Sequence, residues 1–243
     1  MDKNFKLIDI EKWKRREIFY YFSRIAPTTY SVTASLDITR MMKALKEHNL
    51  KFFPSYLWLS TTIINKHQEF KVAIKDGKVG YYDTLTPFYP TFHDDDKTIS
   101  MLWTKYSSSL FEFHEAYLEN KKLYGENKGF LGLHGATPPE NAYTISVLPW
   151  LSFSSFSLTS SSPNPYFFPS IEGGQFIRDG EKLVFPLSIT SHHATTDGYH
   201  VAEFYREFQE MADNFSLFLS LSCMKVKRQI DFLWRLKWEI SSG

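Results

Sequence analysis

Two adjacent imidazoles, a carboxylate and a turn glycine fall within ten residues in Ser191-His192-His193-Ala194-Thr195-Thr196-Asp197-Gly198-Tyr199-His200. A neutral imidazole can take the proton of an attacking hydroxyl, which speeds such a step by roughly 10²- to 10⁴-fold. The stretch therefore suits acyl transfer. It follows the apolar run Leu183 to Ile189, read as a strand. It precedes Val201, Phe204, Tyr205, Phe208, Met211 and Ala212, which recur at three- and four-residue steps and predict a helix with one buried face. Asp197 and Gly198 then form the corner, and the Asp197 carboxylate can cap free backbone N–H groups of that helix. Each group has a structural alternative, since histidines at strand ends and aspartates at helix starts are common without chemistry. Neighbouring side chains on a strand point to opposite faces, so one of His192 and His193 is expected to reach a reaction centre, and spacing alone does not choose between them.

His192, His193, Asp197 and His200 are also metal-ligand types. His193 and Asp197 would share a face only on a continuous helix, and the strand pattern followed by Asp-Gly argues against one. His200 is assigned to the first turn of the following helix. No metal site is expected.

The remaining pattern places these residues in an α+β domain. A helix is predicted after Asp9, carrying Trp13 and Arg15, and another after Asp37 with Ile38, Met41, Met42 and Leu45 on one face. Phe52 to Ile64 continues as helix, with Pro54 in the first turn where a missing N–H costs little. Asp76-Gly77 and Asp179-Gly180 mark hairpin turns. Ser107 to Leu123 reads as helix and Tyr143 to Leu158 as strand. There are no internal repeats.

With 243 residues, 43% hydrophobic and 17% aromatic, the chain can bury a sizeable core, and residues 1–213 read as one domain. A net charge of +1 without a clustered basic face gives no field for nucleic acid. The single cysteine, Cys223, has no intramolecular disulfide partner, and the amino terminus does not resemble a secretory signal, so a cytoplasmic location is expected. The most apolar stretch, Phe215 to Met224, is broken by serines and falls short of the roughly 20 residues of a membrane span. Residues 214–243, with the basic-aromatic run Lys225 to Trp238, form a carboxyl-terminal extension of unassigned role. An amphipathic helix resting on its own domain is weighed there against a membrane-surface or partner contact.

His-His-x-x-x-Asp-Gly-Tyr-His after a buried strand resembles the active-site signature of the chloramphenicol acetyltransferases. Its shorter core is similar to that of dihydrolipoyl acyltransferases and of nonribosomal peptide condensation domains. The former normally carry a lipoyl module, and the latter are about twice this length. Further stretches resemble the acetyltransferase family in order: Trp13-Lys14-Arg15-Arg16-Glu17, Ala73-Ile74-Lys75-Asp76-Gly77, Tyr106-Ser107-Ser108, and Pro139-Glu140-Asn141 through Ile145-Ser146-Val147-Leu148-Pro149-Trp150. The similarity runs from about Phe5 to Met211.

The resemblance implies a chloramphenicol acetyltransferase-like fold, a two-layer mixed β-sheet covered by helices. It also implies direct acetyl transfer from acetyl-CoA, a co-substrate and not a bound cofactor, to a hydroxyl of chloramphenicol. The second histidine, His193, becomes the general base. Ser146 becomes the donor to the oxyanion, and Arg15 pairs with Asp197 to hold the histidine loop. No Gly-x-Ser-x-Gly elbow suggests a covalent route. Thr28, Tyr30, Leu133, Phe156, Leu158 and Tyr166 are carried over as acceptor-binding positions, and Trp150, Gln175 and Phe176 as CoA-binding ones. The family forms a homotrimer with its sites at subunit interfaces, one subunit supplying the histidine and its neighbour much of the acceptor pocket.

The match departs from the family in two places. Around Ala26-Pro27-Thr28-Thr29-Tyr30 the wall is smaller and more polar than usual, with Tyr30 where phenylalanine is common, and Leu133 replaces a common aromatic. Ile171-Glu172-Gly173-Gly174-Gln175-Phe176 stands where Ile-Thr-Met-Gly-Lys-Phe is frequent, so Glu172 and Gln175 change the local charge. Two alternatives are therefore kept: an acyltransferase for another small hydroxylated compound, and an inert ligand-binding homologue.

Overall fold

A computed structural model describes residues 4–131, 137–159 and 166–220. Its principal element is a mixed sheet of seven strands: β2 (Thr29–Asp37), β5 (Thr86–His93), β6 (Thr98–Trp103), β7 (Ala142–Val147), β8 (Ser170–Gly173), β9 (Ile177–Asp179) and β10 (Lys182–His192). They are ordered β2-β10-β8-β7-β5-β6, with β9 pairing β10. Strand β7 runs parallel to β5 and β8, and the other pairings are antiparallel. A smaller antiparallel sheet joins β1 (Phe5–Leu7), β3 (Val72–Lys75) and β4 (Lys78–Tyr82). Asp76 and Gly77 both take positive φ, 51° and 73°, which is the two-residue hairpin turn that Asp-Gly favours between β3 and β4.

The helices are α1 (Arg16–Tyr20), α2 (Thr39–Glu47), α3 (Phe52–Lys66), α4 (Leu110–Tyr124) and α5 (Gly198–Asp213). Strand alternation decides where the core sits. Phe185, Leu187 and Ile189 of β10, Tyr143 and Ile145 of β7 and Ile171 of β8 all point to one face. There they pack with Tyr56 and Leu57 of α3 and Val201, Phe204 and Phe208 of α5. The intervening residues point the other way and are largely hydroxylic. Residues 215–220 are helical, and Phe215 and Leu219 enter the same core.

Three elements differ from the sequence reading. The helix after Asp9 starts only at Arg16, and residues 21–25 widen into a π-helical turn, so Arg15 is the residue before the helix and not inside it. The helix read from Ser107 begins at Leu110, because Ser109 takes the N-cap position and its hydroxyl accepts from the Glu112 N–H. The strand read from Tyr143 to Leu158 stops at Val147. Pro149 has no N–H to continue a ladder, and residues 151–159 instead run without strand pairing across the polar face. The backbone N–H of Phe156 donates to Thr33 Oγ1, that of Leu158 to Thr190 Oγ1, and Ser188 donates to the Phe156 carbonyl.

Candidate active site

Strand β10 ends at His192, and the next five residues turn into α5. As strand alternation requires, the two histidines have different surroundings. His192 is buried with its ring edge-on to Phe167, and its Nδ1 accepts from the Ala194 N–H. Burial lowers its pKa to about 4, so it is neutral. His193 keeps 34% of its side chain exposed. Its ring stacks on Phe22 at 4.1 Å between centroids and meets Tyr30 edge-on at 5.2 Å. Its backbone N–H donates to the Thr28 carbonyl, which ties the loop to β2.

The tautomer of His193 follows from its neighbour. Nδ1 lies 3.1 Å from the Thr196 carbonyl oxygen. A carbonyl can only accept, so the hydrogen bond requires the proton on Nδ1 and leaves Nε2 with its lone pair free. Asp197 Oδ1 at 3.3 Å from the same nitrogen favours that arrangement further.

Arg15 holds this loop through four hydrogen bonds. Its guanidinium grips both oxygens of Asp197, at 2.5 and 2.7 Å, and donates to the carbonyls of His193 at 3.0 Å and Ala194 at 2.9 Å. The planar fork explains why arginine stands here, since the three donors of an ammonium, all on one nitrogen, do not match four acceptor atoms spread over a carboxylate and two carbonyls. The hydrogen bonds from Arg15 hold the Asp197 carboxyl below the usual range, outweighing its partial burial. Asp197 also starts α5, and its N–H donates to Nδ1 of His200, which occupies that nitrogen within the helix's first turn.

Ser146 is elsewhere. It lies between Ile145 and Val147, which pack into the core, so it points to the face of the sheet away from the helices. Its register neighbour is Glu172, whose neighbour on β10 is Ser188, five residues before His193. That separation is about 16 Å along β10 and about 10 Å across two strand spacings. The Tyr30 that flanks His193 pairs with Ser191, on the helix-bearing side. One chain thus carries His193 and Ser146 on different faces, beyond mutual reach.

The other predicted positions divide in the same way. Thr28 and Tyr30 lie with His193: Thr28 Oγ1 donates to the Ala26 carbonyl, and the Tyr30 hydroxyl donates to Thr196 Oγ1 at 3.3 Å. Burial raises the Tyr30 phenol. Phe156 and Leu158 lie over the hydroxylic face. Trp150, 65% exposed, meets Phe92 edge-on, and Gln175 donates its backbone N–H to the Leu151 carbonyl, so both lie beyond the Ser146 end of β7 and β8. Phe176 turns inward and packs against Phe52 and Phe185. Tyr166 donates to the Ala142 carbonyl beside a cavity of about 390 Å³ lined by Lys75, Tyr82, Glu140 and Phe168 among others. Leu133 and Cys223 fall outside the described residues.

Two contributors were missed in the sequence. Phe22 sits in the π-helical turn, which has no distinct pattern in the residue types. Thr196 acts through its carbonyl, a backbone role that residue identity does not encode, although its place three residues after His193 in a tight turn is the available signal. Among the described residues, no three His, Cys, Asp or Glu side chains converge as a metal site, and no helix is long and apolar enough to cross a membrane.

A family model described as chloramphenicol acetyltransferase matches residues 3–209. A chloramphenicol acetyltransferase from Staphylococcus aureus is 38% identical over 213 residues, covering 86% of this chain and 96% of its own. One from Clostridium perfringens is 35% identical over 216 residues, covering 88% and 98%. A solved chloramphenicol acetyltransferase structure superposes with a TM-score of 0.78 at 23% identity, over 86% of this chain and 99% of that one, and agrees with the α+β reading of the fold. The chain belongs to the chloramphenicol acetyltransferase family.

Proposed function

We propose that this protein is an acetyl-CoA-dependent O-acetyltransferase that acetylates a hydroxyl of chloramphenicol. Nε2 of His193 takes the proton of the attacking hydroxyl as its oxygen bonds to the thioester carbon. The carbonyl oxygen becomes an oxyanion, to which Ser146 donates, an interaction worth about 3 kcal/mol in the transition state. When the oxyanion collapses, the C–S bond breaks and the imidazolium returns its proton to the departing CoA sulfur. The products are the acetyl ester and free CoA, with no acyl-enzyme. Arg15 and Asp197 keep the His193 loop in place without touching substrate.

The observation that carries this reading is the hydrogen bond from His193 Nδ1 to the Thr196 carbonyl, which leaves a basic nitrogen on a partly exposed ring. Because His193 and Ser146 stand apart in one chain, the complete site is assembled between copies. We read that assembly as a homotrimer, with Thr28 and Tyr30 on the histidine side and Phe156, Leu158 and Tyr166 supplied across the interface. We read Trp150 and Gln175, exposed near Ser146, as CoA contacts.

Thiol release from acetyl-CoA with chloramphenicol tests the reading. The wild type is expected to release thiol with chloramphenicol, and His193→Ala to lose at least 10²-fold. Unchanged release in that variant would overturn it. A second reading, another small hydroxylated acceptor, is favoured by the buried Glu172 and by Tyr30. It predicts that chloramphenicol turns over no faster than unrelated alcohols in a panel.

A further inference from the structure

The sheet face away from the helices carries two rows of hydroxyls. Thr33, Ser188 and Ser146 form one row with Glu172, and Ser31, Thr190, Ser170 and Thr144 form the next. Most of these groups satisfy one another or the overlying segment: Thr33 donates to Ser188, Ser31 bonds Thr190, and Ser188 donates to the Phe156 carbonyl. Glu172 is the single carboxyl in these rows and is 2% exposed. Ser170 donates to its Oε1, but Oε2 is buried without a partner. A carboxyl oxygen buried in this way forgoes hydration without a compensating hydrogen bond and calls for an explanation. The register neighbours of Glu172 are Ser188, whose hydroxyl already donates to the Phe156 carbonyl, and Ser146.

We propose that Glu172 is a positioning residue that acts through Ser146: as the neutral acid its Oε2 hydroxyl donates to Ser146 Oγ and turns the serine's own proton toward the thioester oxygen. As a carboxylate it accepts that proton instead and turns it away. The inference rests on the acetyl-transfer reading above and deepens it. Burial raises the Glu172 carboxyl to about 7, so both forms are populated near neutral pH. Beyond burial, the group that acts on it within the chain is the Ser170 hydroxyl, while Glu172 itself helps to raise the phenols of Tyr56 on α3 and Tyr205 on α5, both held neutral by burial. In the assembled site a second copy's His193 joins them. No proton is consumed, because the Glu172 proton orients the serine and stays on the carboxyl through the cycle.

The pH profile of kcat for thiol release, with wild type, Glu172→Gln, Ser146→Ala and His193→Ala, tests this. The wild type is expected to decline above about pH 7, approaching tenfold per pH unit. Glu172→Gln keeps an N–H donor over the whole range and abolishes the decline with little change in KM. Ser146→Ala is slower throughout and also lacks the decline. An identical decline in wild type and Glu172→Gln overturns the inference while leaving acetyl transfer intact. A decline that survives in Ser146→Ala but not in Glu172→Gln overturns the route through the serine. Infrared titration of the carboxyl gives a readout independent of turnover. A band titrating near pH 7, absent in Glu172→Gln and shifted in Ser146→Ala, is expected even if His193→Ala shows the transfer reading to be wrong. A band unmoved by Ser146→Ala contradicts the pairing.

Discussion

The loop that follows β10 and the hydroxylic face of the principal sheet differ in how their polar groups are met. On the helix-bearing face, the His193 loop is satisfied by its own chain: Arg15 fills both Asp197 oxygens and two carbonyls, and Thr196 fixes the imidazole proton. On the opposite face one hydroxyl row includes a buried carboxyl oxygen without a partner, between Ser188 and Ser146, and exposed apolar side chains such as Trp150, Leu151 and Leu158 lie on the same side. If His193 is the base proposed above, it must be held rigidly before substrate arrives, whereas a surface proposed to receive a substrate or a second subunit carries groups left to be met. Under the proposed function, the difference corresponds to two half-sites facing apart.

The largest way to break the comparison is to remove the clamp. Arg15→Ala leaves Asp197 and two carbonyls unmatched and is expected to destabilise the fold by about 3 kcal/mol, toward the low end for a broken pair because Asp197 retains partial exposure. Chemical denaturation measures this, and Arg15→Lys should recover only part of it. Since Arg15 keeps the Asp197 pKa low, its contribution is present above the unfolded carboxyl pKa and fades as pH falls through the folded one.

His192 sharpens the contrast from beside the clamp. Its folded pKa of about 4 lies below the ordinary 6.5, so protons favour the unfolded chain. Stability is expected to hold above pH 6.5 and to fall by up to about 3 kcal/mol between there and pH 4. His192→Asn, which retains an acceptor for the Ala194 N–H, should flatten that decline. An unaltered acid profile would show that His192 is not held neutral.

The smallest effect belongs to Tyr30. Its hydroxyl contacts Thr196 Oγ1 at 3.3 Å, a neutral hydrogen bond near the long limit. Tyr30→Phe is expected to cost about 0.5–1 kcal/mol and to change thiol release by only a few-fold. A loss as large as that of His193→Ala would move Tyr30 from the wall into the chemistry.

The histidine half was more legible in the sequence than the serine half. The strand into His192, the Asp-Gly corner and the three- and four-residue spacing of α5 are local patterns, and they matched the structure. Arg15 and Asp197 are 182 residues apart, and only family resemblance joined them. The strand proposed through Leu158 ended at Val147 because Pro149 breaks the ladder, which alternation of apolar residues does not register. The unpartnered Oε2 of Glu172 was invisible because it depends on which hydroxyls neighbouring strands bring alongside. The separation of His193 from Ser146 likewise depends on strand order, which no local pattern contains.

Mixing two variants tests that separation directly. His193→Ala and Ser146→Ala chains are each expected to be impaired alone; if the site is shared between copies, co-assembly rebuilds interfaces with an intact histidine from one chain and an intact serine from the next. Random closed rings should recover about a quarter of wild-type thiol release. Release no greater than the average of the two variants assayed separately would contradict a site divided between subunits.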